Sequence, residues 1–180
     1  MKTPELETER LILRTLKAED AGEIFRRWTG DREVNRYMNY SLHKSEEETA
    51  EWLRAEEENI EKDDNYTWGF VRKDTGELIG SGGICYNKDY GMFELGYNIM
   101  KKYWGQGYTV EASKRILKFA VDDLGESCFF GRHAKENPAS GKVMVKTGFR
   151  YWRDGFYDTM DGVRFESREY RWRLDENSAE

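Results

Sequence analysis

The chain has few of the residues that build metal sites, disulfide frameworks and membrane segments. Its 180 residues include two cysteines and two histidines. No CxxC spacing links the cysteines, so neither a metal site nor a disulfide framework is indicated, and we expect Cys85 and Cys128 to be reduced core thiols. The segment 1–10 has no apolar run of the kind that a signal peptide or membrane helix requires. We therefore expect a cytoplasmic protein with no membrane partner.

Excess positive charge is also missing. The net charge is -6 and the sequence pI is about 5.2. Nucleic-acid binding needs clustered positive charge, so this balance argues against a nucleic-acid partner. It would suit a cationic substrate, although ordinary solubility explains it more simply. Only two prolines are present and no Pro/Gly/Ser-rich stretch suggests a linker, so we expect one domain over 1–174 and a solvated tail over 175–180.

Periodicity predicts a protein of mixed α/β class. Alternating apolar residues indicate strands, and spacings of three and four indicate amphipathic helices. The dipeptide Asp161-Gly162 predicts a tight primed turn between the last two strands. Seven strands are expected, over 10–14, 66–71, 78–86, 92–100, 127–132, 149–157 and 163–172. Four helices are expected, over 18–28, 45–60, 105–124 and 137–148.

A glycine-punctuated turn joins the fourth strand to the long third helix. Gly105 and Gly107 would let the backbone approach an anion, which the free N–H groups of the helix's first turn could bind. Taken alone, the tripeptide fits a plain strand-to-helix connection equally well. The spacing matches neither GxGxxG nor GxxxxGK, so a Rossmann or P-loop cradle is not expected.

The segment 102–107, Lys-Tyr-Trp-Gly-Gln-Gly, resembles the acetyl-CoA loop of the GNAT superfamily. That pattern is Gln/Arg-x-x-Gly-x-Gly/Ala, with lysine here in the first place. Glu-Leu-Gly-Tyr at 94–97, Glu-Ala at 111–112 and the segment 137–149 are similar to the branch that acetylates the amino termini of ribosomal proteins. Together with Glu-Arg-Leu-Ile-Leu-Arg at 9–14, the resemblance covers nearly the whole chain.

The resemblance implies a single GNAT fold of α/β (α+β) class. It implies a central mixed, mostly antiparallel sheet of about seven strands with four helices. Acetyl-CoA, the implied co-substrate, would wedge between the splayed parallel fourth and fifth strands, 92–100 and 127–132, and no metal is implied. The pantetheine would pair with the strand edge, and the pyrophosphate would rest on the loop amides. The cofactor-binding residues implied are Asn98, Ile99, Met100, Lys102, Trp104, Gly105, Gln106, Gly107, Tyr108, Thr109, Asn137 and Ser140.

The implied chemistry is direct attack of an amine on the thioester, with no acyl-enzyme. An α-amino group titrates near roughly 8 and lysine near roughly 10.4, so an N-terminal acceptor needs a weaker base. Glu94 is the candidate base, directly or through water, although it could equally be a structural ion pair. Ser140 could protonate the leaving thiolate, or could serve only the helix start. Many GNAT enzymes have a tyrosine acid where this chain has Met144, so here the proton must come from another residue or from water.

The acceptor remains open at this stage. A protein N-terminus is the leading expectation, with a small-molecule amine (amino acid, polyamine or aminoglycoside) or a non-catalytic acyl-CoA-binding module as alternatives. A homodimer is a further expectation. We expect both histidines, His43 and His133, at the surface, and His133 and Cys128 on opposite sides of their strand, which disfavours a Cys/His acyl-enzyme. Substrate-binding residues expected are Trp28, Tyr37, Tyr97 and Tyr157, with packing the favoured role for Tyr97; Arg32, Tyr40 and Trp152 could also line a cleft or simply pack.

Overall fold

Alternating apolar residues build one eight-stranded sheet in the computed structural model, which describes residues 2–177. The strand order is β1-β2-β3-β4-β5-β6-β8-β7, and only the β5–β6 pair is parallel. The strands are β1 (Leu6–Glu7), β2 (Leu11–Arg14), β3 (Asn65–Arg72), β4 (Leu78–Asn87), β5 (Met92–Ile99), β6 (Cys128–Ala134), β7 (Arg150–Asp158) and β8 (Arg164–Arg173). The mixed, mostly antiparallel sheet is therefore confirmed.

All seven predicted strands are present, and the eighth is the short β1. It spans two residues that pair with Leu13 and Ile12 of β2, too few for an alternating pattern to be read. The predicted fourth and fifth strands are β5 and β6, which are parallel as expected.

The helices follow the predicted order. The first begins as a 3-10 turn (Ala18–Asp20), continues as α1 (Ala21–Ile24) and ends as a π turn (Phe25–Thr29). The others are α2 (Glu46–Asn59), α3 (Tyr108–Asp122), α4 (Pro138–Lys146) and α5 (Leu174–Asn177), with a 3-10 turn over Lys101–Tyr103 before α3. Helix α5 occupies part of the predicted solvated tail, whose last residues, 178–180, lie outside the described ones. No helix within residues 2–177 has the length and apolar character to cross a bilayer.

Apolar layers cover both faces of the sheet. On one face, Phe119 of α3 packs edge-on against Tyr66 and Trp68 of β3, with ring centroids 5.6 and 5.5 Å apart. On the other face, the π turn after α1 buries Trp28 and helix α2 buries Leu53, both with no exposed surface. These layers hold the central strands β4 to β6 in place.

The Asp161-Gly162 dipeptide does not form the predicted primed turn. A type I′ turn needs positive φ at both central residues, and here only Gly162 has it, at +78°. Thr159 N–H donates to the carbonyl of Val163 at 2.8 Å, and Gly162 N–H donates to Thr159 at 2.9 Å. The connection is thus a three-residue loop in which a left-handed glycine follows an ordinary turn.

The cysteine prediction and one histidine prediction are wrong. Cys85 is exposed because its strand position faces away from the α3 layer, beside Glu94 of β5, and Cys128 is half-buried. His133 is buried, because β6 lies inside the sheet and α4 covers it. Its ring nitrogens contact the carbonyl of Ala134 at 2.7 Å and the hydroxyl of Tyr170 at 3.1 Å.

Candidate active site

Strands β5 and β6 are joined at only two positions. Phe93 pairs with Phe129 and Glu94 with Phe130, and beyond them no ladder links the two strands within residues 2–177. The two strands therefore present unpaired backbone toward each other, on either side of a gap.

The backbone N–H and C=O groups of Tyr97 and Ile99 face this gap. Met100 N–H donates to the carbonyl of Ile79 in β4, so by the period of two the backbone of Asn98 also faces β4. The predicted edge at 98–100 is thus shifted by one residue. Trp104 already donates its indole N–H to the Ile99 carbonyl at 2.9 Å.

The loop after β5 has the backbone geometry of a nest that could bind an anion. Gly105 and Gly107 adopt positive φ, at +75° and +83°, and Tyr108 begins α3. Among the described residues, no hydrogen-bond acceptor engages the backbone amides of 105–110. A Cβ added at Gly105 would meet nothing within 4 Å. Free amides at the positive end of a helix and open space before them suit a phosphate.

Three residues that the sequence did not bring together, Thr8, Arg10 and Glu111, support this nest; we call them the buttress. Glu111 accepts from the Thr8 hydroxyl at 2.6 Å, from Arg10 N–H at 2.8 Å and from Arg10 Nε at 2.6 Å. Arg10 also donates to the carbonyl of Gln106 at 3.1 Å and lies over the Tyr108 ring at 4.1 Å. Burial alone would raise the pKa of Glu111, but these hydrogen bonds and the Arg10 charge lower it below its ordinary value. Arg10 and Glu111 lie in two of the segments that carry the family resemblance, at 9–14 and 111–112, but neither segment indicates that the two residues contact each other.

Two other predicted loop residues bond to the protein itself. Lys102 Nζ pairs with Glu77 at 2.7 Å, and the Gln106 side chain donates to the carbonyl of Lys102 at 2.8 Å. Their side chains therefore shape the loop, while its anion-binding capacity lies in the backbone.

Helix α4 brings Asn137 and Ser140 to the gap. The side chain of Asn137 caps the helix by accepting from Ser140 N–H at 3.4 Å. Tyr97 of β5 lies across from them, with its hydroxyl 2.9 Å from Ser140 Oγ and 3.1 Å from the Ser140 carbonyl. Burial raises the pKa of Tyr97. Met144 is buried against Gly131 and contributes no acidic group.

The opposite face of β5 carries Glu94, Gly96 and Asn98, which alternate with Tyr97 along the strand. Glu94 Oε1 pairs with Arg132 Nε of β6 at 3.0 Å, and Oε2 accepts from Asn87 at 2.7 Å. A Cβ added at Gly96 would meet nothing within 4 Å. An open space therefore lies between Glu94 and Asn98.

Asn98 anchors the segment after α1 to one side of this space. Its amide donates to the Tyr40 hydroxyl at 2.7 Å and to Asn35 at 3.2 Å. Burial raises the pKa of Tyr40 to about 12. The side chain of Asn98 therefore positions this segment, and its backbone faces β4.

The structure does not bring all the predicted acceptor residues together. Tyr157 donates to the carbonyl of Tyr37 at 2.6 Å, so these two lie together. Trp28 has no surface open to an acceptor in this structure. Tyr97 lies on the Ser140 side of the sheet, and Trp152 stacks with Arg171, whose guanidinium carbon is 3.3 Å from the ring centre.

A second buried acidic network adjoins the Glu94 pair. Glu169 of β8, 2% exposed, is the cross-strand neighbour of Arg132. It accepts from the Tyr90 hydroxyl and from Arg153 Nε, each at 2.7 Å. Sequence reasoning missed Arg132 and Glu169, because their partners lie on other strands. No group of three metal-ligating side chains occurs within residues 2–177.

Comparisons with known proteins agree with this geometry. The family model described as the acetyltransferase (GNAT) domain matches residues 10–150. YoaA of Bacillus subtilis (strain 168), named an uncharacterized N-acetyltransferase, is 31% identical over 171 residues, covering 93% of this chain and 95% of YoaA.

Solved structures share the fold at low identity. A putative ribosomal-protein-serine acetyltransferase from Vibrio cholerae superposes with a TM-score of 0.81 at 20% identity, covering 96% of this chain and 99% of that one. A spermidine N-acetyltransferase from Vibrio cholerae, in complex with CoA and spermine, has a TM-score of 0.76 at 18% identity, covering 93% and 97%. The chain therefore belongs to the GNAT family, and it is an acetyltransferase of that family.

Proposed function

We propose that this enzyme transfers an acetyl group from acetyl-CoA to a primary α-amine, with a protein amino terminus as the leading acceptor. The observation that carries the proposal is the coincidence of two features at one end of β5. The strand leaves its parallel neighbour after Glu94, and it then runs into a loop whose amides at 105–110 are free.

The residues present fit acetyl-CoA. The amides of the nest would hold the pyrophosphate, and the edge at Tyr97 and Ile99 would hold the pantetheine arm. The cap on α4 uses the oxygen of Asn137, which leaves its amide nitrogen to donate to that arm. When bound, acetyl-CoA supplies the acetyl group as a thioester.

The acceptor amine must lose a proton, and Glu94 is the proposed base. Both of its oxygens are engaged, one by Arg132 and the other by Asn87, and it lies on the strand beside the gap. A carboxylate takes a proton more readily from an α-amine near roughly 8 than from a lysine or polyamine amine near roughly 10.4. A carboxylate base therefore favours an α-amine acceptor.

The CoA sulfur must gain a proton, and Ser140 is the proposed donor. Its hydroxyl lies beside the gap, hydrogen-bonded to the Tyr97 hydroxyl. Met144, buried in the core, cannot supply that proton.

A polyamine is the second candidate, because one structural neighbour is a spermidine N-acetyltransferase. At 18% identity that likeness concerns the fold alone. The motifs at 94–97 and 137–149, which resemble the ribosomal-protein branch, favour the amino terminus.

The test combines acetyl-CoA calorimetry with release of free thiol. The acceptors are a peptide with a free amino terminus, an N-terminally blocked lysine peptide and spermidine. We expect binding, and thiol release fastest with the free amino terminus. Glu94→Gln should lower the rate about 100-fold while binding is kept, and Glu51→Gln, an exposed change on α2, should alter neither.

Three results would contradict the proposal. Absence of acetyl-CoA binding would remove its basis. Binding without thiol release from any amine would indicate a non-catalytic acyl-CoA-binding module. Faster release with spermidine than with the free amino terminus would favour the polyamine.

A further inference from the structure

We propose that Arg132 binds a carboxylate on the acceptor, so that the enzyme acts on α-amines that have a carboxylate close by. This inference rests on the proposed function and names the acceptor's second group. Arg132 has no role in the site implied by the sequence motifs, yet it lies beside the open space over Gly96.

The position of Arg132 follows from strand register. Phe130 of β6 is paired with Glu94, and Arg132 follows it by two residues on the same face. Two residues beyond Glu94 on β5 is Gly96, which has no side chain, and a Cβ added there would meet nothing within 4 Å. The guanidinium group thus lies across the gap from an empty stretch of strand.

Three neighbours hold the guanidinium group in place. Glu94 Oε1 lies 3.0 Å from Nε. The guanidinium carbon is 5.2 Å from the ring centre of Tyr157 and 5.9 Å from that of Phe130. The side chain is 20% exposed, so it is held at the edge of solvent rather than free in it.

The contact with Glu94 uses Nε and leaves the two terminal nitrogens. Within residues 2–177, neither Nη1 nor Nη2 of Arg132 has a hydrogen-bond partner. Two N–H groups side by side match the two oxygens of a carboxylate, and a preoriented arginine binds that group in a bidentate manner. By contrast, Arg10 pairs with Glu111 through Nε and also donates from Nη1 to the carbonyl of Gln106.

The terminal nitrogens of Arg132 are donors only, so they suit an acceptor group such as a carboxylate. Glu94 already balances the charge of Arg132, and the cross-strand neighbour Glu169 is engaged by Arg153 and Tyr90 rather than by Arg132. A carboxylate at Arg132 would keep the Glu94 contact and place an α-amine near the proposed base. Low exposure strengthens such a contact relative to one in open water.

Two sources could supply this chemistry. In a free amino acid it is the α-carboxylate, one carbon from the amine. In a protein amino terminus it is the side chain of an acidic first or second residue. Both place a carboxylate within a few bonds of an α-amine.

The experiment compares matched acceptors with the wild-type protein. One pair is serine and serinamide; the other is a short peptide amide beginning Asp-Ser and its Asn-Ser counterpart. We expect kcat/KM to favour the acid over the amide at least tenfold, through KM, in one pair. That pair identifies the source of the carboxylate.

Variants test the residue by the same acid-to-amide ratio, which is measured within each protein and so does not depend on how much of a variant folds. Arg132→Gln should bring the ratio close to one. Arg132→Lys keeps the charge but loses the two N–H groups that lie side by side, so an intermediate acid-to-amide ratio is expected. Arg150→Lys, an exposed arginine on β7, should keep the wild-type ratio.

The inference is overturned if the wild-type protein uses acid and amide equally in both pairs, or if Arg132→Gln keeps the preference. Calorimetry of serine and of the Asp-Ser peptide amide against the wild-type protein and Arg132→Gln, in the presence of CoA, separates this from the proposed function. Arg132-dependent binding without thiol release would contradict the transferase proposal and keep the carboxylate site. Transfer of the acetyl group with no preference for the acid over the amide would contradict the carboxylate site and keep the transferase proposal.

Discussion

The hydroxyl of Tyr97 lies 2.9 Å from the hydroxyl of Ser140, linking the unpaired edge of β5 to the first turn of α4. If Ser140 protonates the leaving sulfur, Ser140→Ala should lower kcat about 100-fold with little change in the acetyl-CoA Kd. Steady-state kinetics and calorimetry measure the two quantities.

Thr147→Ala is the matched control for that change. It removes a hydroxyl from the other end of α4, where Thr147 donates to the carbonyl of Val143 at 2.7 Å. It should keep kcat. Equal losses in both variants would show that the helix, and not the hydroxyl of Ser140, determines the rate.

Gly105→Ala should weaken acetyl-CoA binding. The residue has φ of +75°, where an alanine is strained by about 1 kcal/mol, and a shift of the loop would turn its amides away from a phosphate. Gly162→Ala imposes similar strain at φ of +78° in the hairpin loop, and a Cβ meets nothing within 4 Å at either glycine. Calorimetry should find a weaker Kd in the first variant alone; equal affinities would contradict the assigned nest.

Glu111→Gln should destabilise the protein in a pH-dependent way. The folded-state pKa of Glu111 is lowered, so its contribution is present above the ordinary glutamate pKa of roughly 4.3 and is lost as pH falls through the folded value. Urea denaturation at pH 7 should give a deficit of about 1–3 kcal/mol in the free energy of unfolding. That deficit should shrink from about pH 5 downward.

Asp122→Asn provides the comparison, because its ion pair with Lys118 is exposed. Its deficit should stay below about 0.5 kcal/mol. A deficit for Glu111→Gln that does not vary with pH would mean that packing, rather than charge, holds the buttress.

Met144→Tyr should not restore a tyrosine acid. Met144 is 1% exposed, and its sulfur lies against Gly131 with no room for a ring. Overpacking should lower the free energy of unfolding by about 1–3 kcal/mol, whereas Met144→Leu should cost less than about 1.5 kcal/mol. Thermal denaturation checks the stability, and a gain in kcat would contradict the burial.

Much of the fold could be predicted because local patterns agree with tertiary structure. The helix expected over 45–60 is α2, and the Ser45 side chain caps it by accepting from Glu48 N–H at 3.3 Å. Helix α3 begins three residues later than predicted, because the left-handed glycines at 105 and 107 cannot continue an α-helix. The short β1 escaped prediction because two residues carry no period.

The site was less predictable, since its contacts depend on register between distant strands. Glu94 was found from its motif, but its pairing with Arg132 requires knowing that β5 and β6 align at Phe130. Trp28 was expected to bind the acceptor at the end of the first helix, and nothing in the sequence indicated that it is completely buried. The buttress of Thr8, Arg10 and Glu111 joins residues about a hundred positions apart, which no local pattern reveals.

The pairing of β5 with β6 at two positions also affects the stability of the protein. A ligand that fills the gap supplies hydrogen-bond partners for both strand edges, so its binding energy adds to the free energy of unfolding. At a hundred times its Kd, such a ligand adds about 2.7 kcal/mol. Heat resistance and protease resistance would then follow the supply of coenzyme, and the purified chain without it would be the weakest form of the enzyme.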